Sequence, residues 1–191
     1  MSLTQTQVQM QTVGWRDTPH AYGAVSRAFH WSMALLFIWQ FTGILIGVVA
    51  DKTPIADFFG STHKSIGLVL LILVCLRGLW GLLNLRNRPG HQPTFLGRAA
   101  TMGHAALYLL MFVVPALAML RQYGSGRAFA PFGIPLMEGF EEKIPWMMAP
   151  ANALHGLLGW VLLALIVGHI AMVFVHRFAW NDNVLARMAG R

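Results

Sequence analysis

Four stretches of roughly 20 residues run through this chain almost without charge, and each is long enough to cross the ~30 Å hydrocarbon core of a bilayer. They fall at about residues 30–50, 65–85, 102–120 and 152–175. Lipid offers no water to the backbone, so runs of this kind fold as helices. The predicted fold class is an all-α membrane protein, a four-helix transmembrane bundle. Of 191 residues, four spans take up about 80 to 90, which leaves no separate soluble domain. The chain therefore reads as one transmembrane domain over 1–191, with a polar N-terminal segment at 1–29, a loop at 121–151 and a tail at 176–191. Composition agrees, since only 11% of residues are charged against 56% hydrophobic, too few charges to cover a soluble globule of this size.

The first residues, MSLTQTQVQMQT, contain no apolar h-region and no small-residue cleavage site, so no cleaved signal peptide is expected. Pro115 predicts a kink in the third span. The Gly- and Pro-containing loop that follows carries Glu138, Glu141, Glu142 and Lys143 and has room for a short surface helix. A single cysteine, Cys75, excludes an internal disulfide, CxxC zinc sites and the CxxCH attachment of a c-type haem.

Charge sets the expected orientation. The N-terminus, the second connection with its flanks and the C-terminus together carry nine arginines, at 16, 27, 77, 86, 88, 98, 177, 187 and 191. The opposite side carries five cations, Lys52, Lys64, Arg121, Arg127 and Lys143. The positive-inside rule then puts both termini in the cytoplasm. It also accounts for the formal charge of +7, because the basic residues interleave with apolar runs and form no polar face for nucleic acid.

Eight histidines are many for so apolar a chain, and an ionisable side chain at membrane depth is a functional candidate by default. His20 and His91 lie in polar segments and read as solvated surface residues. His155 and His169 are 14 residues apart, which on a helix places them on one face, about 21 Å apart along the axis. His63, at the outer start of span two, matches the depth of His155, and His30, at the inner start of span one, matches that of His169. Two stacked pairs are what two bis-histidine haems require. Zinc or copper fits less well, because those metals need three or four ligands converging at one point. Gly67, Gly156, Gly159 and Gly168 stand beside these histidines, where they suit either a flat cofactor or close helix packing.

Three further residues are candidates. Arg77 lies 14 residues beyond His63, at the level of His30 and His169, where a haem propionate suits a guanidinium, and snorkelling to the headgroups is the alternative. On depth alone His104 rivals His30 as a ligand. His176, two turns beyond His169, projects toward the cytoplasmic interface, where it can meet a quinone headgroup or simply face water.

The strings RAFHW, THKSIG, GHAALYLL, ALHGLLGW and GHIAMVFVHRFAWNDNVLARM, spread from Tyr22 to Met188, resemble the bacterial di-haem cytochrome b561 family. The resemblance rests on the histidine set together with the C-terminal pattern of Trp180, Asp182, Asn183, Leu185, Arg187 and Met188. It implies two b-type haems in a bacterial inner membrane, His30 and His169 holding the cytoplasmic one and His63 and His155 the periplasmic one, with His104 not a ligand. A superoxide oxidase in that family implies electron flow from superoxide to ubiquinone. The expected roles are then acceptor-site residues His176 and Arg77 and, for attracting superoxide, Lys143. The other expectation is a non-catalytic relay and anchor for a partner dehydrogenase.

Overall fold

In the computed structural model residues 14–90, 93–182 and 184–189 are described. The Gln-rich start, His91, Asn183 and Arg191, with the expectations attached to them, lie outside the described residues. Among the described residues four helices are long and apolar enough to cross a membrane: α1 (Ala24–Val49), α2 (Pro54–Leu83), α3 (Phe95–Gly124) and α4 (Pro145–Phe174). A π-helical turn, Val175–Ala179, extends α4, and a short α5 (Val184–Ala189) follows.

Each span begins earlier than hydropathy alone placed it, because caps and not apolarity end a helix. Thr53 caps α2, its hydroxyl accepting from the Ala56 N–H at 3.4 Å ahead of Pro54. Thr94 caps α3 in the same way, through Gly97 at 3.2 Å. α4 opens on Pro145, whose missing N–H costs nothing in a first turn. The loop expected over 121–151 accordingly shrinks to the residues between Gly124 and Pro145. His63, expected at the outer start of its span, lies nine residues into α2. Pro115 ends nothing, and α3 continues through it, as α4 does through Pro150.

Successive helices pack side by side, α1 on α2, α2 on α3 and α3 on α4. Their shared centre is Met33, Leu70, Val74, Met111 and Leu162, with Phe37, Phe41, Leu107, Tyr108 and Ile166 against it. Outside that centre most apolar side chains are exposed, including Leu35, Ile38, Leu79, Leu109 and Val167, the pattern of a bundle whose surroundings are lipid. Cys75 is one of the exposed residues.

The two ends of the bundle differ. At the terminal end, residues 14–23 and α5 fold over the start of α1. Arg27 donates to the Ala189 carbonyl at 2.8 Å, Trp31 Nε1 to that of Met188 at 3.3 Å, and the Tyr22 N–H to that of Arg187 at 3.1 Å. The buried Asp17 accepts from the Gly23 N–H at 2.9 Å. Burial pushes the Tyr22 phenol up, with Arg88 opposing. At the loop end, Phe129 and Met137 form an isolated antiparallel bridge around a 3₁₀ turn at Pro131–Gly133. The buried Gln122 ties this loop down, its amide donating to the Arg127 carbonyl at 3.0 Å while its oxygen accepts from Lys64 at 3.0 Å.

Candidate haem-binding site

The helices bring the histidines together in two layers. At the loop end His63 of α2 faces His155 of α4, ring centroids 6.2 Å apart and planes nearly perpendicular. At the terminal end His30 of α1 faces His169 of α4 with centroids 6.4 Å apart. Leu162, 2% exposed, lies seven residues from each α4 histidine, so a dry apolar septum about 10 Å thick on either side separates the layers.

The spacing fits a metal held between the rings. An imidazole nitrogen lies about 1 Å from its ring centre and binds a transition metal at roughly 2.0–2.1 Å, so a two-imidazole sandwich needs centroids about 6 Å apart. Both pairs meet this. No group of three or more His, Cys, Asp or Glu converges among the described residues, which suits a cofactor that brings its own equatorial nitrogens. The glycines beside the histidines also leave open space at the helix surface. A Cβ added at Gly156, Gly159 or Gly168 meets nothing within 4 Å, and one at Gly67 meets only the Gln40 amide, at 3.7 Å.

Protonation state follows from the partner of the other ring nitrogen. His155 Nδ1 donates to the Val114 carbonyl at 3.0 Å, which leaves Nε2 a lone pair. His63 Nδ1 lies 3.0 Å from the Gln40 amide nitrogen, which also donates to the His63 main-chain oxygen at 3.1 Å. His30 Nδ1 lies 3.4 Å from an Arg77 guanidinium nitrogen.

Arg77 turns inward. Its guanidinium reaches Met33 Sδ at 3.9 Å and sits 5.3 Å above the Tyr108 ring, so it occupies the bundle and does not snorkel outward. His104 also joins the terminal-end layer, with its ring 5.3 Å from that of His169. That spacing is shorter than a two-imidazole sandwich requires, and His104 Nδ1 donates within α3 to the Ala100 carbonyl at 2.7 Å.

His176 lies two residues into the π turn that follows α4. α-Helical register ends at Phe174, and the π turn beyond it changes the angle per residue slightly before His176. Its Nδ1 donates to Asp182 Oδ2 at 2.6 Å, and its ring packs edge-on against Trp180, centroids 4.7 Å apart. The hydrogen bond from His176 holds the Asp182 carboxyl below the usual range. Lys143 is exposed in the loop just before α4.

Sequence reasoning missed Gln40 and the Val114 carbonyl. Gln40 had a signal, an amide in the middle of an apolar span, whereas a main-chain oxygen has none.

Residues 21–191 match the family described as prokaryotic cytochrome b561. Cytochrome b561 homolog 2 of Escherichia coli is 31% identical over 189 residues, covering 94% of this chain and 96% of that protein. Four spanning helices, paired histidines at membrane depth and these two matches together make the chain a member of the prokaryotic cytochrome b561 family, which binds b-type haem and transfers electrons in membranes.

Proposed function

We propose that this chain is a transmembrane oxidoreductase holding two b-type haems, one per histidine layer, which takes single electrons from superoxide at the periplasmic face and passes them to ubiquinone. The observation that carries this reading is the pair of matched ring separations, 6.2 and 6.4 Å, stacked along α4. His63 and His155 would hold the outer haem, and His30 and His169 the inner one, with Arg77, a donor-only group 3.4 Å from His30 Nδ1, turned from that nitrogen to a propionate. His104 stands too close to His169 to replace His30. Held between two histidines, such a haem would supply outer-sphere one-electron chemistry.

The chain's own residues do the rest. Leu162 and the surrounding core keep water out between the layers. Arg77 places a fixed positive charge beside His30, suited to a propionate and to stabilising an added electron. His176 is held by Asp182 in the tautomer that leaves Nε2 unprotonated, and on protonation its imidazole can pass a proton to a quinone oxygen as charge arrives. Nine arginines on the terminal side put that end in the cytoplasm of a bacterial inner membrane. Lys143 lies on the periplasmic loop, where an anion would approach.

A relay and anchor for a partner dehydrogenase is the second reading. It is favoured by one feature, the exposed Phe132, Ile134 and Leu136 on the loop between α3 and α4, which suit protein docking.

The test is the redox-difference spectrum and the haem-to-protein ratio of the purified chain. About two low-spin haems per chain are expected. His63→Ala or His155→Ala removes one spectral component, and His30→Ala or His169→Ala removes the other. A ratio near one, or His30→Ala and His63→Ala depleting the same component, overturns the two-layer assignment. Quinone reduction by superoxide with the purified chain alone separates the oxidoreductase from the relay.

A further inference from the structure

Gln40 is a polar side chain in the middle of α1, and it reaches across to α2 at the level of His63. A neighbouring hydrogen bond, from Trp39 Nε1 to the Thr62 hydroxyl at 3.0 Å, fixes the register of the two helices at this level. The Gln40 amide is half satisfied. Its nitrogen bonds the His63 main-chain oxygen and lies 3.0 Å from His63 Nδ1, while its Oε1 is buried without a partner. A buried amide oxygen left unpaired costs about 1–3 kcal/mol.

The proton count at His63 decides what that oxygen is for. A neutral imidazole that binds a metal through Nε2 carries its proton on Nδ1. An Nδ1–H facing the amide N–H at 3.0 Å sets donor against donor. A half-turn of the carboxamide exchanges its nearly isosteric nitrogen and oxygen and lets Oε1 accept from Nδ1–H; the amide then gives up its bond to the His63 main-chain oxygen, 3.1 Å from the same atom, and must swing off that oxygen. The His63 carbonyl, in the interior of α2, stays within the helical ladder.

We infer that Gln40 is the positioning residue of His63, its carboxamide oxygen accepting the Nδ1 proton and so fixing the tautomer and strengthening the donor character of Nε2. This rests on His63 being an axial ligand, as proposed above. His155 has a main-chain carbonyl in the corresponding role, so at the loop-end layer only Gln40 is a support that substitution can remove.

A more basic imidazole stabilises the oxidised metal, so the hydrogen bond lowers the reduction potential of the haem it serves. The experiment is a spectroscopic redox titration of the purified haem-loaded chain as wild type, Gln40→Leu, Gln40→Glu and His63→Ala. Gln40→Leu shifts the potential of one component, the one absent in His63→Ala, to a more positive value and leaves the other unchanged. Gln40→Glu keeps an acceptor oxygen and holds that potential at or below the wild-type value. Loss of this haem in Gln40→Leu with retention in Gln40→Glu also supports the role. Unchanged potentials in Gln40→Leu, an upward shift in both variants, or loss of the haem in both overturn it. If His63→Ala retains both components, the axial assignment fails; if it loses one while Gln40→Leu shifts nothing, only the role of Gln40 fails.

Discussion

At the scale of single residues, the terminal end offers two separate tests, the His176–Asp182 pair and Arg77 beside His30. The Asp182 carboxyl is held below its ordinary value of 3.8, chiefly by the hydrogen bond from His176. A carboxylate whose folded pKa is depressed contributes above its unfolded pKa, and the contribution disappears as pH falls through the folded one. The tie between His176 and Asp182 therefore holds at neutral pH and is released only as acid carries the pH through the depressed carboxyl pKa. Tryptophan fluorescence should report this through Trp180, which packs on His176, and Asp182→Asn should abolish the transition. His176→Ala should keep the haem spectra of the wild type and slow reoxidation by a ubiquinone analogue by about 100-fold, the scale of a lost general acid. Unchanged reoxidation would move the acceptor site, with His104 next to be tested. Arg77→Ala differs in kind. Removing a positive charge next to His30 should lower the potential of the inner haem with little loss of its content, as a redox titration would show.

At the scale of elements, two glycines hold geometry that no other residue adopts cheaply. A Cβ at Gly43 of α1 would come within 2.8 Å of Phe59 Cβ on α2, so these helices touch there only because the side chain is missing. Gly43→Ala should push Phe59 aside and cost about 1–3 kcal/mol, seen as a lower temperature for loss of haem absorbance. Gly126 has φ +67 and backbone oxygen of Phe140 where a Cβ would go, closing the loop through the Phe140 N–H to Gly126 carbonyl bond at 2.9 Å. Gly126→Ala should loosen the loop and leave the histidine layers intact, giving faster proteolysis between Gly124 and Pro145 with unchanged haem content.

At the scale of the whole molecule, orientation and electron path are one question, because orientation sets which histidine layer meets which compartment, and the charge asymmetry predicts cytoplasmic termini. In a Cys75→Ala background, a cysteine in place of Glu141 should react with a membrane-impermeant thiol reagent from the periplasm. One in place of Arg86 should react only after the membrane is opened. The reverse pattern would exchange the donor and acceptor faces.

Span number and the pairing of histidines by depth were legible in the sequence. Apolar run length and the 14-residue spacing of His155 and His169 follow from helix rise and turn alone. Helix ends were not legible, because Thr53, Thr94 and Pro145 extend the helices into residues whose hydropathy says loop. Nor was the partner of His176 legible, because a π turn follows Phe174 and brings Asp182, six residues on, to its ring. Depth is a property of one helix and can be counted along the chain. Which side chain crosses to a ring nitrogen, Gln40 to His63, Arg77 to His30 or the Val114 carbonyl to His155, depends on the rotation of two helices against each other, and only their packing fixes that.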